Sequence, residues 1–185
     1  TNEMNAVLNF DFAILDFIRT HMGGGFADAF MKLVTSLGNV GILWIVIATA
    51  LLCTKKFRKT GLQMAAGLIL GLIFGNLLIK NIVARPRPFT LRGTDIIIKA
   101  PRDYSFPSGH TLASVISAYI LWHNNRKAGI AAAVTAALIA FSRIYLYVHY
   151  PTDIIGGTLL GLLIGFVTVK ISESEKMRQM FRKKP

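Results

Sequence analysis

Long apolar blocks separated by short charged breaks set the architecture of this chain. Residues 4–20 follow helical spacing. Val7, Leu8, Phe10, Ile14, Leu15, Phe17 and Ile18 fall on a broad apolar face, with Asn5, Asn9, Asp16 and Arg19 elsewhere. Asp11 and Asp16 disfavour both a spanning segment and the apolar core of a cleavable leader. The pattern therefore predicts an amphipathic helix lying in a membrane interface, broken by Gly23-Gly24-Gly25.

A membrane span needs about 20 apolar residues. Leu33 to Cys53 supplies the first, with a helical lead-in from Phe26 and a bend near Gly38-Asn39. Lys55, Lys56, Arg58 and Lys59 close it. A second runs from Gly61 to Lys80 and carries Gly67, Gly71 and Gly75, which lay a groove along one face for a neighbouring helix. Pro86 and Pro88 force Arg85 and Arg87 into extended geometry, so this helix ends by about Ala84 and a polar loop follows to residue 107. A short third span runs from Ser108 to Trp122, and a fourth from Ala128 to Tyr147 with Ala132, Ala136 and Ala140 on one face. The fifth begins at Pro151, reaches Ile171, and repeats the glycine groove with Gly157, Gly161 and Gly165. The expected fold is all-α: a polytopic membrane helix bundle of about five transmembrane helices plus the N-terminal interfacial helix. It forms one membrane-embedded domain, with residues 1–25 as the interfacial helix and break, 26–171 as the core and 172–185 as a basic tail.

Composition sharpens this reading. The chain is 53% hydrophobic, a fraction that soluble domains also reach, but those scatter it periodically. A formal charge of +12 fits an anionic lipid surface or an anionic substrate. Nucleic acid fits poorly, because the basic residues fall between apolar blocks and not along a polar face. One cysteine, Cys53, allows no disulfide framework, and the absence of paired histidine spacing argues against zinc. With five spans, the 81–107 and 143–151 loops share a side with the amino terminus. The denser positive charge of the 55–59 loop and the tail places those in the cytoplasm, so the opposite end faces outward.

At that outward end polar residues converge from three stretches. Lys80, Arg87 and Arg143 form a cation clamp suited to phosphate oxygens. The Ser108 and Gly109 amides sit at a helix start, where unpaired donors and the helix dipole attract anions. His110 and His149 bring acid, base and nucleophilic capacity, and Asp153, four residues past His149, can orient its ring. Each has a bland alternative: Lys80 as a snorkelling helix end, Ser108 as a helix cap, Asp153 as a first-turn acid, the arginines as interface anchors. Convergence of ionisable groups at one depth favours a site for phosphoryl chemistry. His21 and His123 lie outside it, while Arg85, Arg92 and Arg102 are further cations of the same loop, suited to a second phosphate, to anionic lipid or to solvent.

Lys80 with Arg87-Pro88, then Pro107-Ser108-Gly109-His110, then Ser142-Arg143 with His149 and Asp153, resemble the three signatures of the type-2 phosphatidic acid phosphatase family. The resemblance covers residues 80–153 and implies a metal-independent, cofactor-free lipid phosphatase. It implies that His149 becomes a phosphohistidine, that His110 protonates the leaving oxygen and then activates water, and that Asp153 orients His149. The small build is similar to bacterial undecaprenyl-diphosphate phosphatases of that family, although their middle signature often has Asp where this chain has Gly109. The substrate expected is undecaprenyl diphosphate or a phosphatidyl-type phosphate, handled at the outer face of a bacterial plasma membrane. A lipid phosphotransferase using the same residues, a haloperoxidase and a non-catalytic anionic-lipid-binding scaffold are the alternatives; the apolar blocks oppose the second.

Overall fold

The computed structural model describes residues 2–174, so the basic stretch expected as a cytoplasmic tail falls mostly outside them. About 80% of the described residues are helical, and no strand occurs among them. Helix α1 spans Asn2–Met22 and α2 spans Gly25–Leu37. A single turn at Asn39–Gly41 then leads into α3, Ile42–Cys53, bending the pair by 42°. Gly41, at φ 70°, adopts the left-handed backbone this corner requires. The bend falls where the sequence places it.

Helix α4 covers Arg58–Gly71 and continues through a π-wound stretch, Leu72–Ile79, to a last turn at Lys80–Val83. It stops at Ala84, two residues before Pro86, where the proline pattern puts its end. A short α5, Pro88–Arg92, sits in the following loop. Helices α6 (Gly109–Asn124), α7 (Arg126–Tyr145) and α8 (Pro151–Glu173) complete the bundle.

Helix α4 with its continuation, α7 and α8 are each long and apolar enough to cross a membrane, and the bent α2–α3 pair makes a fourth such unit. The third expected span, α6, is short at 16 residues and runs through the centre of the bundle. Both glycine ladders pack on it: a Cβ at Gly67 would come within 2.7 Å of Ile116, and one at Gly161 within 2.9 Å of Val115. Only bare backbone lets α4 and α8 approach α6 this closely. Trp44 of α3, fully buried, adds a hydrogen bond to Ser114 of α6 at 2.8 Å. Outward-facing Leu159, Leu163, Val134 and Ile69 are all more than half exposed, as a lipid-covered bundle requires.

Helix α1 turns Phe12, Leu15 and Ile18 onto the α7–α8 connection. Its Asp16 accepts from the Tyr147 hydroxyl, so the amino terminus and the two polar loops gather at one end. The opposite end carries Lys59 and His123, both paired with Glu173.

Candidate active site

Pro86 and Pro88 hold Arg87 in extended backbone, φ −78° and ψ 153°, and its side chain turns into the protein. Its Nε donates to the Asp103 carbonyl at 2.8 Å and Nη1 to the Val148 carbonyl at 2.7 Å. Nη2 reaches the Asp103 carboxylate at 2.7 Å. Lys80 ends the long helix with its ammonium 2.6 Å from the other oxygen of Asp103. It is 5% exposed, so it points into the bundle and does not snorkel outward. Burial works to raise the Asp103 pKa, but hydrogen bonds and charge from Lys80 and Arg87 outweigh it and hold the carboxyl well below its usual range.

His149 lies in the tight connection between α7 and α8, where Tyr147 takes a positive φ and the Val148 and His149 amides both donate to the Arg143 carbonyl. The ring is held at both edges. Nδ1 is 3.3 Å from Asp153 Oδ2, and Nε2 is 3.2 Å from Arg87 Nη1. Burial, then the positive charges of Arg87, Arg143 and Lys80, push His149 far below the ordinary imidazole pKa. The ring is therefore neutral near pH 7. With its proton on Nδ1 toward Asp153, it leaves a lone pair on Nε2.

Asp153 touches the His149 ring and also caps its own helix. Its Oδ2 caps α8 by accepting from the Tyr150 amide at 2.9 Å, and the same oxygen receives the Ser105 hydroxyl. Its Oδ1 is bonded by Arg85 at 2.7 Å. His110, in the first turn of α6, places Nε2 3.2 Å from Asn39 Oδ1 at the α2–α3 bend. Arg143 is 3% exposed and bonds Thr35, while its Nε has no hydrogen-bond partner among the described residues. An unpaired buried guanidinium edge is a docking point for an anion.

The turn at Ser108-Gly109 differs in detail from the expectation. The Ser108 amide donates to the Asp153 carbonyl at 3.2 Å, which locks α6 against α8 and removes that donor. The Ser108 hydroxyl accepts from the Thr111 amide as a helix cap, leaving its own proton as the group it can offer. Gly109 faces Asn76, whose Oδ1 would be 2.8 Å from a Cβ there and has no hydrogen-bond partner among the described residues.

Lys80, Arg87, Gly109, His110, Arg143 and His149 line one cavity of about 820 Å³ together with Asn39, Asn76, Lys99 and Asp103, and one stretch of its wall is apolar: Ile45, Ala48 and Leu52 of α3 with Ala65, Leu68 and Ile69 of α4. Asp103, Asn76, Ser105 and the roles of Arg85 and Asp11 escaped the sequence reading. No spacing rule links Asp103 to Lys80 across 23 positions.

The family model of the PAP2 superfamily matches residues 60–176, and the chain belongs to that family. It is 34% identical over 145 residues to an undecaprenyl-diphosphatase of Sulfolobus acidocaldarius, covering 76% of this chain and 70% of that protein. It is 32% identical over 146 residues to an undecaprenyl-diphosphatase of Bacillus subtilis, covering 79% and 75%. Among solved structures it superposes on a transmembrane PAP2-type phosphatidylglycerolphosphate phosphatase from Bacillus subtilis with a TM-score of 0.75 at 28% identity, covering 91% of this chain and 87% of that one.

Proposed function

We propose that this PAP2-family lipid phosphatase removes phosphate from a lipid-linked diphosphate or monophosphate at the outer membrane face through a phosphohistidine on His149. The observation that carries the reading is the His149 ring itself, with Asp153 at Nδ1 and an arginine-flanked lone pair at Nε2. Arg87, Arg143 and Lys80 surround the phosphoryl oxygens and the Ser108 hydroxyl and Gly109 amide add neutral donors, so charge developing at phosphorus meets fixed donors. Nε2 attacks phosphorus, the bond to the lipid-side oxygen breaks, and His110 donates a proton to the departing oxygen. His110 then takes a proton from water, whose oxygen attacks phosphorus and releases Nε2. Asp153 keeps the ring oriented through both steps, and no metal ion takes part.

The apolar wall between α3 and α4 continues from the cations and supports an isoprenoid or acyl chain beside the phosphate. Undecaprenyl diphosphate is the first substrate to test, given the relatives named for it, followed by phosphatidylglycerol phosphate. Charge in the 55–59 loop supports a cytoplasmic location for that end and an outward-facing site. Detergent-solubilised protein in excess chelator releases phosphate from undecaprenyl diphosphate, and His149→Ala abolishes release. Full turnover by that variant overturns the mechanism, and a strict metal requirement overturns its metal independence.

A further inference from the structure

The acid that orients His149 is itself held by a helix outside the matched family region. Asp11, on α1, is fully buried. Its Oδ2 receives Arg85 Nη2 at 2.7 Å and the Thr152 hydroxyl at 2.6 Å, while its Oδ1 receives the Thr152 amide at 3.0 Å. Arg85 in turn places Nη1 2.7 Å from Asp153 Oδ1 and its Cζ over the Tyr150 ring, 3.8 Å from the centroid. One guanidinium thus spans two buried carboxylates. The family match begins at residue 60, 49 positions after Asp11 in the numbering.

We propose that Asp11 is a positioning residue for catalysis, acting through Arg85 on Asp153 and so on the His149 ring. The proposal rests on His149 being the nucleophile. Arginine's planar fork suits this place, because each Nη meets a different carboxylate and the Tyr150 face blocks rotation. Without the Asp11 charge, Nη2 loses its carboxylate partner, and the fork can slide within the plane set by Tyr150 to engage Asp153 with both nitrogens. Asp153 then shifts relative to Nδ1. Misplacement of about 1 Å at a reacting group costs about 100-fold in rate. The phosphate clamp of Lys80, Arg87 and Arg143 makes no contact with Asp11, so substrate binding stays intact.

The test compares full-length Asp11→Asn, Leu15→Ala and His149→Ala in detergent, reading kcat, KM for undecaprenyl diphosphate, inhibition by orthovanadate, and Tm. Leu15 is fully buried on the same helix, in an apolar cluster with Phe12, Tyr147 and Tyr150, and carries no polar group, so it reports loosened docking of α1 with the Asp11 carboxylate still present. Expected for Asp11→Asn is a fall in kcat of about 10- to 100-fold with KM and vanadate inhibition within about twofold. Leu15→Ala lowers Tm at least as much yet keeps kcat within about twofold. Wild-type kcat in Asp11→Asn overturns the proposal, as do kcat losses in the two α1 variants that simply follow Tm. His149→Ala separates the layers: turnover there overturns the nucleophile assignment, whereas its inactivity beside an unaffected Asp11→Asn overturns only the role of Asp11.

Discussion

Asp103 Oδ2 lies 2.6 Å from Lys80 Nζ, so the lysine proposed to bind substrate phosphate is already engaged by a carboxylate of its own chain. The other oxygen of Asp103 holds Arg87 in the same way. An arriving phosphate competes with that carboxylate for both cations. Arg87 does not depend on it for its position, because three main-chain carbonyls, those of Asp103, Tyr104 and Val148, also hold the guanidinium.

Asp103→Asn therefore frees the cations without collapsing the clamp. Orthovanadate and inorganic phosphate inhibit this variant about tenfold more tightly than wild type, the scale of one charge-assisted hydrogen bond. Inhibition constants at constant ionic strength check it, and unchanged constants contradict it. The stability consequence has a definite sign. The folded pKa is depressed below the ordinary 3.8, so the carboxylate stabilises the fold above that value and loses its contribution as pH falls through the folded pKa. Any Tm advantage of wild type over Asp103→Asn in detergent is flat above about pH 5 and shrinks in stronger acid.

His149 gives the second pH prediction. Its folded pKa lies far below the ordinary 6.5, so the unfolded chain takes up a proton that the folded site refuses. Stability is full above 6.5 and declines as pH falls from there toward the folded value. Wild-type Tm should drop between about pH 7 and pH 5 more steeply than that of His149→Asn, which lacks the proton uptake. Parallel Tm curves would mean that the folded ring protonates as readily as the unfolded one.

Gly157 is the point where the glycine ladder of α8 meets the turn at Ser108. A Cβ there would come within 2.9 Å of the Ser108 carbonyl, which is main chain and cannot rotate aside. Gly157→Ala should lower stability by about 1–3 kcal/mol and separate Ser108 from Asp153, reducing activity beyond the loss of folded protein. Chemical unfolding in detergent, paired with turnover per folded molecule, measures both parts. Wild-type values for the two would show that α6 and α8 have room to spare.

Periodicity exposes helices and grooves because they depend on residues three to five positions apart, and that is why the α4 end, the bend at Gly38-Asn39 and both glycine ladders were legible in the sequence. The clustering of Lys80, Arg87, His110, Arg143 and His149 was legible from span parity together with the family signatures. The partners that set their chemistry were not. Asp103, Ser105 and Thr35 reach the site across loops or between helices, and hydropathy reads Asp11 only as a fault in an apolar helix. Burial reverses that reading, since a fully buried aspartate needs a partner and Arg85 supplies one. The Ser108 amide was misjudged for a related reason: a helix start promises free donors only until another chain segment, here the Asp153 carbonyl, occupies one.

Gly38 sets the place of the second histidine. Its backbone is right-handed, φ −88°, so glycine is not required there for conformation. Space is the constraint: a Cβ would lie 2.5 Å from His110 Cδ2 and 3.0 Å from Ile139 Cγ2. Ile139 is fully buried in the core and cannot retreat, so the imidazole must move. Gly38→Ala should displace His110 from Asn39 and cost about 10- to 100-fold in kcat. Arg87, Arg143 and Lys80 stay in place, so vanadate inhibition should hold. If His110 donates the leaving-group proton, the loss must shrink for a substrate whose leaving group needs no proton, such as p-nitrophenyl phosphate at high concentration. An equal loss on both substrates would assign the defect to the cavity as a whole and not to the proton donor.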